Sequence, residues 1–251
     1  MPKYRVDLHN HCNCDPIDVL DYSAEQLIDQ AKHLGIDVLS ITPHRDYFID
    51  PQASAYAKSK GILLIPGVER IVDGKEILIL NADPRFFPND AFSTKADLEK
   101  ARAYHGDSML IVAPHPFYPR KTCAHQYLDE IHYLLDAVEF CHFYFPFYNP
   151  NQEAEIWAEK NDITILANSD AHQLKMVGYN SSLVEAKQLT AEAIFQGIRD
   201  NLVSYEYKYM DLLEFVIYAK NLVMQDLNRR LQRPGVIKRE NKRLKALMQH
   251  S

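Results

Sequence analysis

A chain of 251 residues with 47% hydrophobic content can bury a sizeable core, and it fits one large α/β domain as well as two small ones. A net charge of −6 and the absence of any apolar run of about 18 residues argue against a basic coat for nucleic acid and against a membrane span. The start, Met1-Pro2-Lys3-Tyr4, lacks a secretory apolar stretch, and Cys12, Cys14, Cys123 and Cys141 spell neither a disulfide framework nor a zinc knuckle, so a cytoplasmic protein is expected.

The first strand, Tyr4-Arg5-Val6, runs into Asp7-Leu-His-Asn-His11. Two histidines at i and i+2 on an extended chain project to the same side, which beside a carboxylate starts a metal site. Ser23 to Gln26 reads as a capping box for a helix with Leu27, Ile28, Ala31 and Leu34 inward and Gly35 as its stop. A buried strand from Asp37 to Thr42 then delivers His44. A helix over 52–60 precedes the strand from Ile62 to Ile65, which ends at Gly67-Val-Glu69, and Lys75 to Leu80 is a further strand paired beside it. A helix from Thr94 to about His105 leads to the strand Met109 to Ala113 and then His115. Another helix, about His125 to Leu135, precedes Ala137 to Cys141 and His142. A helix near 152–160 leads to Ile163 to Leu166 and on to Asp170 and His172. A helix after Thr190 and a long apolar-striped helix over roughly 209–231 close the pattern. The stripe could pack on the barrel or on a partner chain, making an oligomer through this helix.

Alternating strands and helices in this number fit an α/β fold with a barrel better than an open sheet. Barrel chemistry sits at the carboxyl ends of the strands, and six of the eleven histidines fall there. The charge divides unevenly: 9 Lys/Arg stand against 2 Asp/Glu from Ala219 onward, leaving a body near −13 and a tail near +7. We therefore read residues 1–205 as the barrel and 206–251 as a C-terminal helical extension with a basic tail.

The ordered motifs Asp7-Leu-His-Asn-His11, Ile41-Thr-Pro-His44, Pro66-Gly-Val-Glu69, Ala113-Pro-His-Pro116, Val138-Glu-Phe-Cys-His142 and Asn168-Ser-Asp-Ala-His172 resemble those of the PHP (polymerase and histidinol phosphatase) family. The likeness runs over residues 4–200. It implies a distorted, seven-stranded (β/α) barrel of the TIM type that binds two or three divalent metals and hydrolyses phosphate esters. By that resemblance His9, His11, Glu69 and Asp170 hold a first metal. Glu69 bridges to a second, completed by His115 and His142, and His44, His172 and Asp15 take a third, with Asp18 in reserve.

The chain departs from the family in offering Cys12-Asn-Cys-Asp15 after the first pair, Pro43 where an Asp is common, and His142 where Asn or Cys is usual. Cys12 and Cys14 are expected as small buried neighbours of the site rather than ligands. Imidazole and carboxylate donors without a thiolate cluster suit zinc, manganese or iron. The expected nucleophile is a hydroxide bridging the first two metals, with Glu69, Asp170 and His172 as the catalytic residues.

Arg45, Arg70, Arg120, Lys121 and Lys175 lie in strand-to-helix loops where a cation can meet phosphate. Arg120 leads, because relatives often place an Arg after the His-Pro pair, and Arg45 follows. The aromatic stretch Phe140 to Tyr148 could stack on a base or pack as core and lid. The expected activity is a phosphomonoesterase on a small metabolite such as a sugar phosphate, nucleotide or histidinol phosphate. A nucleic-acid phosphodiesterase or exonuclease ranks second, and an inactive metal-holding scaffold third.

Overall fold

The computed structural model describes residues 1–87, 93–142, 144, 148–208, 211, 213–217, 220, 223–224, 227 and 231. Nine strands form one curved sheet: β1 (Lys3–Asp7), β2 (Val38–Ile41), β3 (Leu63–Val72), β4 (Lys75–Leu80), β5 (Leu110–Ala113), β6 (Ala137–Phe140), β7 (Thr164–Ala167), β8 (Asn180–Glu185) and β9 (Val203–Tyr207). Their order across the sheet is β7-β6-β5-β4-β3-β2-β1-β8-β9. Strands β1, β2 and β3 pair in parallel, as do β5, β6 and β7, while β4 runs antiparallel between the two groups. Six strands therefore aim their carboxyl ends at one rim.

The sheet curls into a nearly closed barrel. At the upper rim Asn10 bridges Ala171 in parallel, Asn168 Oδ1 accepts from the Leu8 amide at 2.8 Å, and Asp7 Oδ1 accepts from the Ser169 amide at 3.0 Å. Lower down the seam is made by a side chain. Ser182 Oγ on β8 accepts from the Ala167 amide at 2.9 Å and donates to the Ala167 carbonyl at 3.1 Å.

The α/β barrel is as expected, but it is built from nine strands and not seven. β3 continues past Glu69 into a hairpin with β4, so that Glu69 sits within a strand and not at its end. The antiparallel β8–β9 pair, joined through α6, has no counterpart in the sequence reading.

Helices among the described residues surround the wall: α1 (Ala24–His33), α2 (Pro51–Ser59), α3 (Lys95–His105), α4 (Tyr127–Ile131), α5 (Asn151–Asn161) and α6 (Ala191–Arg199). Ser23 and Gln26 make the expected capping box, burying Leu27, Ile28 and Ala31. Thr94 and Asp97 make a second at α3. Each box satisfies two otherwise orphaned amides, worth about 1 kcal/mol per cap. The helix expected from His125 to Leu135 is shorter, with a 3₁₀ turn following α4.

Residues 213–217 are helical, as are the described positions up to 231. Phe215 packs on the core beside α1 and α2, and Tyr179 Oη donates to Glu214 at 3.2 Å, while Leu213, Val216 and Val223 are exposed. The basic run from Lys238 lies outside the described residues, as does part of the aromatic stretch. Of that stretch, Phe140 packs against Tyr144 and Tyr205, each with its ring 5.2 Å away, so these rings are core. No helix among the described residues is long and apolar enough to cross a membrane.

Candidate metal centre

Histidines carried beyond β1, β2 and β5 converge on Glu69 within β3. Its Oε2 lies 3.5 Å from His9 Nε2, 3.4 Å from His11 Nε2 and 3.2 Å from His44 Nε2, while Oε1 lies 3.4 Å from His115 Nε2. Asp170 completes the floor: its Oδ1 is 3.3 Å from His9 Nε2, 3.4 Å from His11 Nε2 and 3.5 Å from His172 Nδ1. The rings crowd together, with His11 4.4 Å from His172 and 4.6 Å from His44 between centroids.

Four imidazoles thus turn Nε2 inward, and each is gripped from behind at Nδ1. Glu139 Oε1 meets His9 Nδ1 at 2.9 Å. Asp15 Oδ2 meets His11 Nδ1 at 3.0 Å and His44 Nδ1 at 2.8 Å. Cys123 Sγ stands 3.4 Å from His115 Nδ1. A partner at Nδ1 fixes that nitrogen as the donor and leaves the Nε2 lone pair for a cation. His172 is oriented differently, with Nε2 3.0 Å from Asp18 Oδ2. His142 is buried beside Cys141, whose Sγ is 3.8 Å from its Nδ1.

Charge in this cluster is strongly coupled. Burial opposes a proton on His9, but Asp170, Glu139 and Glu69 outweigh it and hold the ring's pKa well above the usual imidazole value. His44 behaves likewise, burial being overcome by Asp15 and Glu69. Burial alone would raise Glu69 and Asp170, yet the facing histidines keep both carboxylates well below their usual range. His172 rises to about 9, burial being outweighed by Asp18 and Asp170. His142 goes the other way, pushed by burial down to about 4, which keeps it neutral and able to ligate.

These residues fit divalent cations. The buried Asp170 Oδ1 receives no hydrogen bond of good geometry, although three imidazole nitrogens crowd it. Donor atoms of His9, His11 and Asp170, of His9, Glu69 and His115, and of His11, His44 and His172 each lie within 4.8 Å of one another. Carboxylates buried this deeply need positive charge between them, and hard oxygen with imidazole donors is the set that zinc, manganese or iron takes.

His9, His11, His44, Glu69, His115, Asp170 and His172 come together, with two differences of detail at Asp15 and Asp18. Asp15 is spent on support. Its Oδ1 accepts from the Ile17 and Asp18 amides at 2.8 Å each, and its Oδ2 accepts from the His44 amide at 2.9 Å as well as facing both rings. Asp18 is the carboxylate that faces His172 and, at 3.8 Å, His44 Nδ1. Arg120 is exposed at the rim, its charge favoured first by Glu76 and then by Cys123, Glu69 and Asp170. Arg45 is half-buried, its amide donating to the Glu69 carbonyl at 3.0 Å. Arg70 is buried and donates to the Arg45 carbonyl at 2.7 Å and to Ser93 Oγ at 3.1 Å, so it shapes the loop from behind. Lys175 is exposed.

Glu139 was not singled out by the sequence reading. It is fully buried, takes His9 at Oε1 together with Asn168 Nδ2 at 3.0 Å, and accepts the His115 amide at Oε2 at 3.0 Å. A Glu inside the apolar strand Ala137–Phe140 needs a partner where it faces inward, but the strand is too short to show which way it faces. Glu139→Gln keeps the shape but removes the charge behind His9. We expect it to lower metal affinity about 10- to 100-fold, measured by competition with a chelator. Unchanged affinity would make Glu139 a packing residue.

The turns that carry the site are tight. Arg45, His115 and Asp170 adopt positive φ of 68°, 30° and 45°, a left-handed conformation costing side-chain-bearing residues about 1 kcal/mol or more. Such non-glycine positions cluster where function fixes a side chain.

The barrel, with histidines gathered around one glutamate, is similar in fold to several proteins of known structure. A family model described as PHP-associated matches residues 149–202. Among solved structures, the chain is similar to a two-domain Bacteroides vulgatus protein containing a predicted PHP-like metal-dependent phosphoesterase. That pair is 20% identical with a TM-score of 0.64, covering 82% of this chain and 65% of the other, so this chain spans just under two thirds of that relative. It is also similar to PsfC from Pseudomonas syringae, at 19% identity and a TM-score of 0.61, over 92% of this chain and 99% of that one. A third likeness is to the lesion-specific endonuclease PfuEndoQ from Pyrococcus furiosus, at 16% identity and 0.57, over 79% and 56%. No curated protein sequence matches.

Proposed function

We propose that the chain is a metal-dependent phosphoesterase, foremost a phosphomonoesterase acting on a small phosphorylated metabolite such as a nucleotide, sugar phosphate or histidinol phosphate. The observation that carries this reading is the placement of Glu69, whose two oxygens face four imidazoles that are all held at Nδ1 from behind. Residues 1–205 would form the catalytic unit, working in the cytoplasm.

His9, His11, Glu69 and Asp170 would hold one cation, Glu69, His115 and His142 a second, and His44, His172 and Asp18 a third, with Asp15 orienting His11 and His44. Bound there, zinc, manganese or iron would supply Lewis acidity to the phosphate and acidify a water. The protein's own part is electrostatic and geometric. Arg120 at the rim offers a planar guanidinium to two phosphate oxygens, and Glu76 keeps that guanidinium charged and close.

The deciding experiment compares hydrolysis of p-nitrophenyl phosphate with bis-p-nitrophenyl phosphate, alongside elemental analysis of the same protein. Monoester turnover with two or three metals per chain supports the proposal. Diester preference supports a nuclease, the reading favoured by the likeness to a lesion-specific endonuclease. Bound metal with neither activity leaves a scaffold. Arg120→Ala is expected to raise KM for the monoester about tenfold, the loss of one charge-assisted contact, with metal content unchanged. Loss of metal would make Arg120 structural.

A further inference from the structure

Two thiols meet on the loop that follows His11. Cys12 Sγ lies 2.9 Å from Cys14 Sγ, and neither is in a disulfide. The turn that brings them together is fixed by the Asp15 amide donating to the Cys12 carbonyl at 2.9 Å and the Asn13 amide donating to the Tyr22 carbonyl at 2.8 Å. Cys12 is fully buried, whereas Cys14 is exposed and lines an open cleft of about 310 Å³ with Pro43, Asp46, Tyr47 and Phe48. One sulfur therefore meets small solutes from solvent, and the other waits behind it. Cys123 and Cys141 are buried away from solvent.

We propose that Cys12 and Cys14 are a reversible oxidation site that closes to a disulfide within the loop, with a peroxide as oxidant. The Cys14 sulfur, the one that solvent reaches, attacks one peroxide oxygen. The O–O bond breaks, and the second oxygen leaves as water with the Cys14 thiol proton. The sulfenic acid so formed at Cys14 is attacked by Cys12 sulfur; the S–O bond breaks, the S–S bond forms, and the oxygen leaves with the Cys12 proton as a second water. Two thiols lose two electrons and two protons, and one peroxide becomes two waters.

The bond contracts the loop. A disulfide is about 2.05 Å long, so the sulfurs must draw together by about 0.9 Å. Cys12 follows His11 directly, and Cys14 directly precedes Asp15, whose carboxylate grips both His11 and His44. Oxidation thus shifts both ends of the segment that orients two inward-facing rings. This second consequence rests on the metal-site reading; the disulfide itself does not.

The test treats the reduced full chain with hydrogen peroxide and follows it by peptide mass spectrometry. A mass lower by two hydrogens is expected on the peptide holding Cys12 and Cys14, restored by dithiothreitol and absent in Cys14→Ser. In parallel, zinc affinity measured against a chelator is expected to fall about tenfold on oxidation, in the parent chain and not in Cys14→Ser. Oxygen added to Cys14 without a bridge, or no loss of thiols, overturns the oxidation site. A bridge formed with unchanged zinc affinity overturns its link to the histidines. The mass readout needs neither bound metal nor turnover, so it separates failure of this inference from failure of the phosphoesterase reading.

Discussion

Glu69→Gln is expected to lower kcat/KM for a phosphate ester at least about 10³-fold, the several kcal/mol that divalent cations lend to such a transition state. The substitution keeps volume and removes one negative charge. That charge is the feature His9, His11, His44 and His115 share, at 3.2–3.5 Å from one or other oxygen. Asp170 faces His9, His11 and His172, whereas Glu69 is the one of the two carboxylates that also meets His44, so metal per chain should fall together with rate. Elemental analysis and turnover on the same preparation check this. Full turnover with full metal content would show that Glu69 is not the hub.

The second large effect concerns stability. Gly197 on α6 lies against β8, where an added Cβ would stand 2.4 Å from the Glu185 carbonyl oxygen and 2.9 Å from Val184 Cγ1. The carbonyl cannot step aside easily. Glu185 is paired with Lys3 on β1, and its amide donates to the Leu202 carbonyl. Gly197→Ala should therefore cost about 3 kcal/mol of overpacking, a fall in Tm of roughly 6–12 °C for a chain this size. Thermal unfolding measures it. No residue of the metal centre lies on α6, so the folded fraction should keep its turnover. A fall of less than a degree would mean that α6 slides freely on β8.

Much of this architecture could be read from the residues because barrel strands announce themselves twice, once as apolar runs and again by the polar group that ends them. His9, His11, His44, His115, His142 and Asp170 were found in that way. What stayed hidden lacks that double mark. Glu139 sits inside its strand, so its importance depends on which way the strand faces, and four residues are too few to reveal that. Asp15 and Asp18 lie on an irregular loop without a period, and only the fold shows that Asp15 supports while Asp18 faces His172. The antiparallel β8–β9 pair escaped because Asn180, Ser181 and Ser182 look like loop residues. They are buried, and Ser182 supplies hydrogen bonds that a neighbouring backbone would otherwise make. Glu69 lies among the histidines, although β3 runs on past it.

The seam closed by Ser182 also bears on how the wall holds together when loaded and unloaded. On one bank stand His9 and His11, carried by β1; on the other stand Asp170 and His172, carried beyond β7. Between the two, much of the stitching is done by side chains: a serine hydroxyl, the Asn168 amide and the Asp7 carboxylate. Any cation seated between those banks works as a rivet across the joint. The same atoms that would activate a phosphate ester would also keep the cylinder from springing open along its least backbone-bonded line.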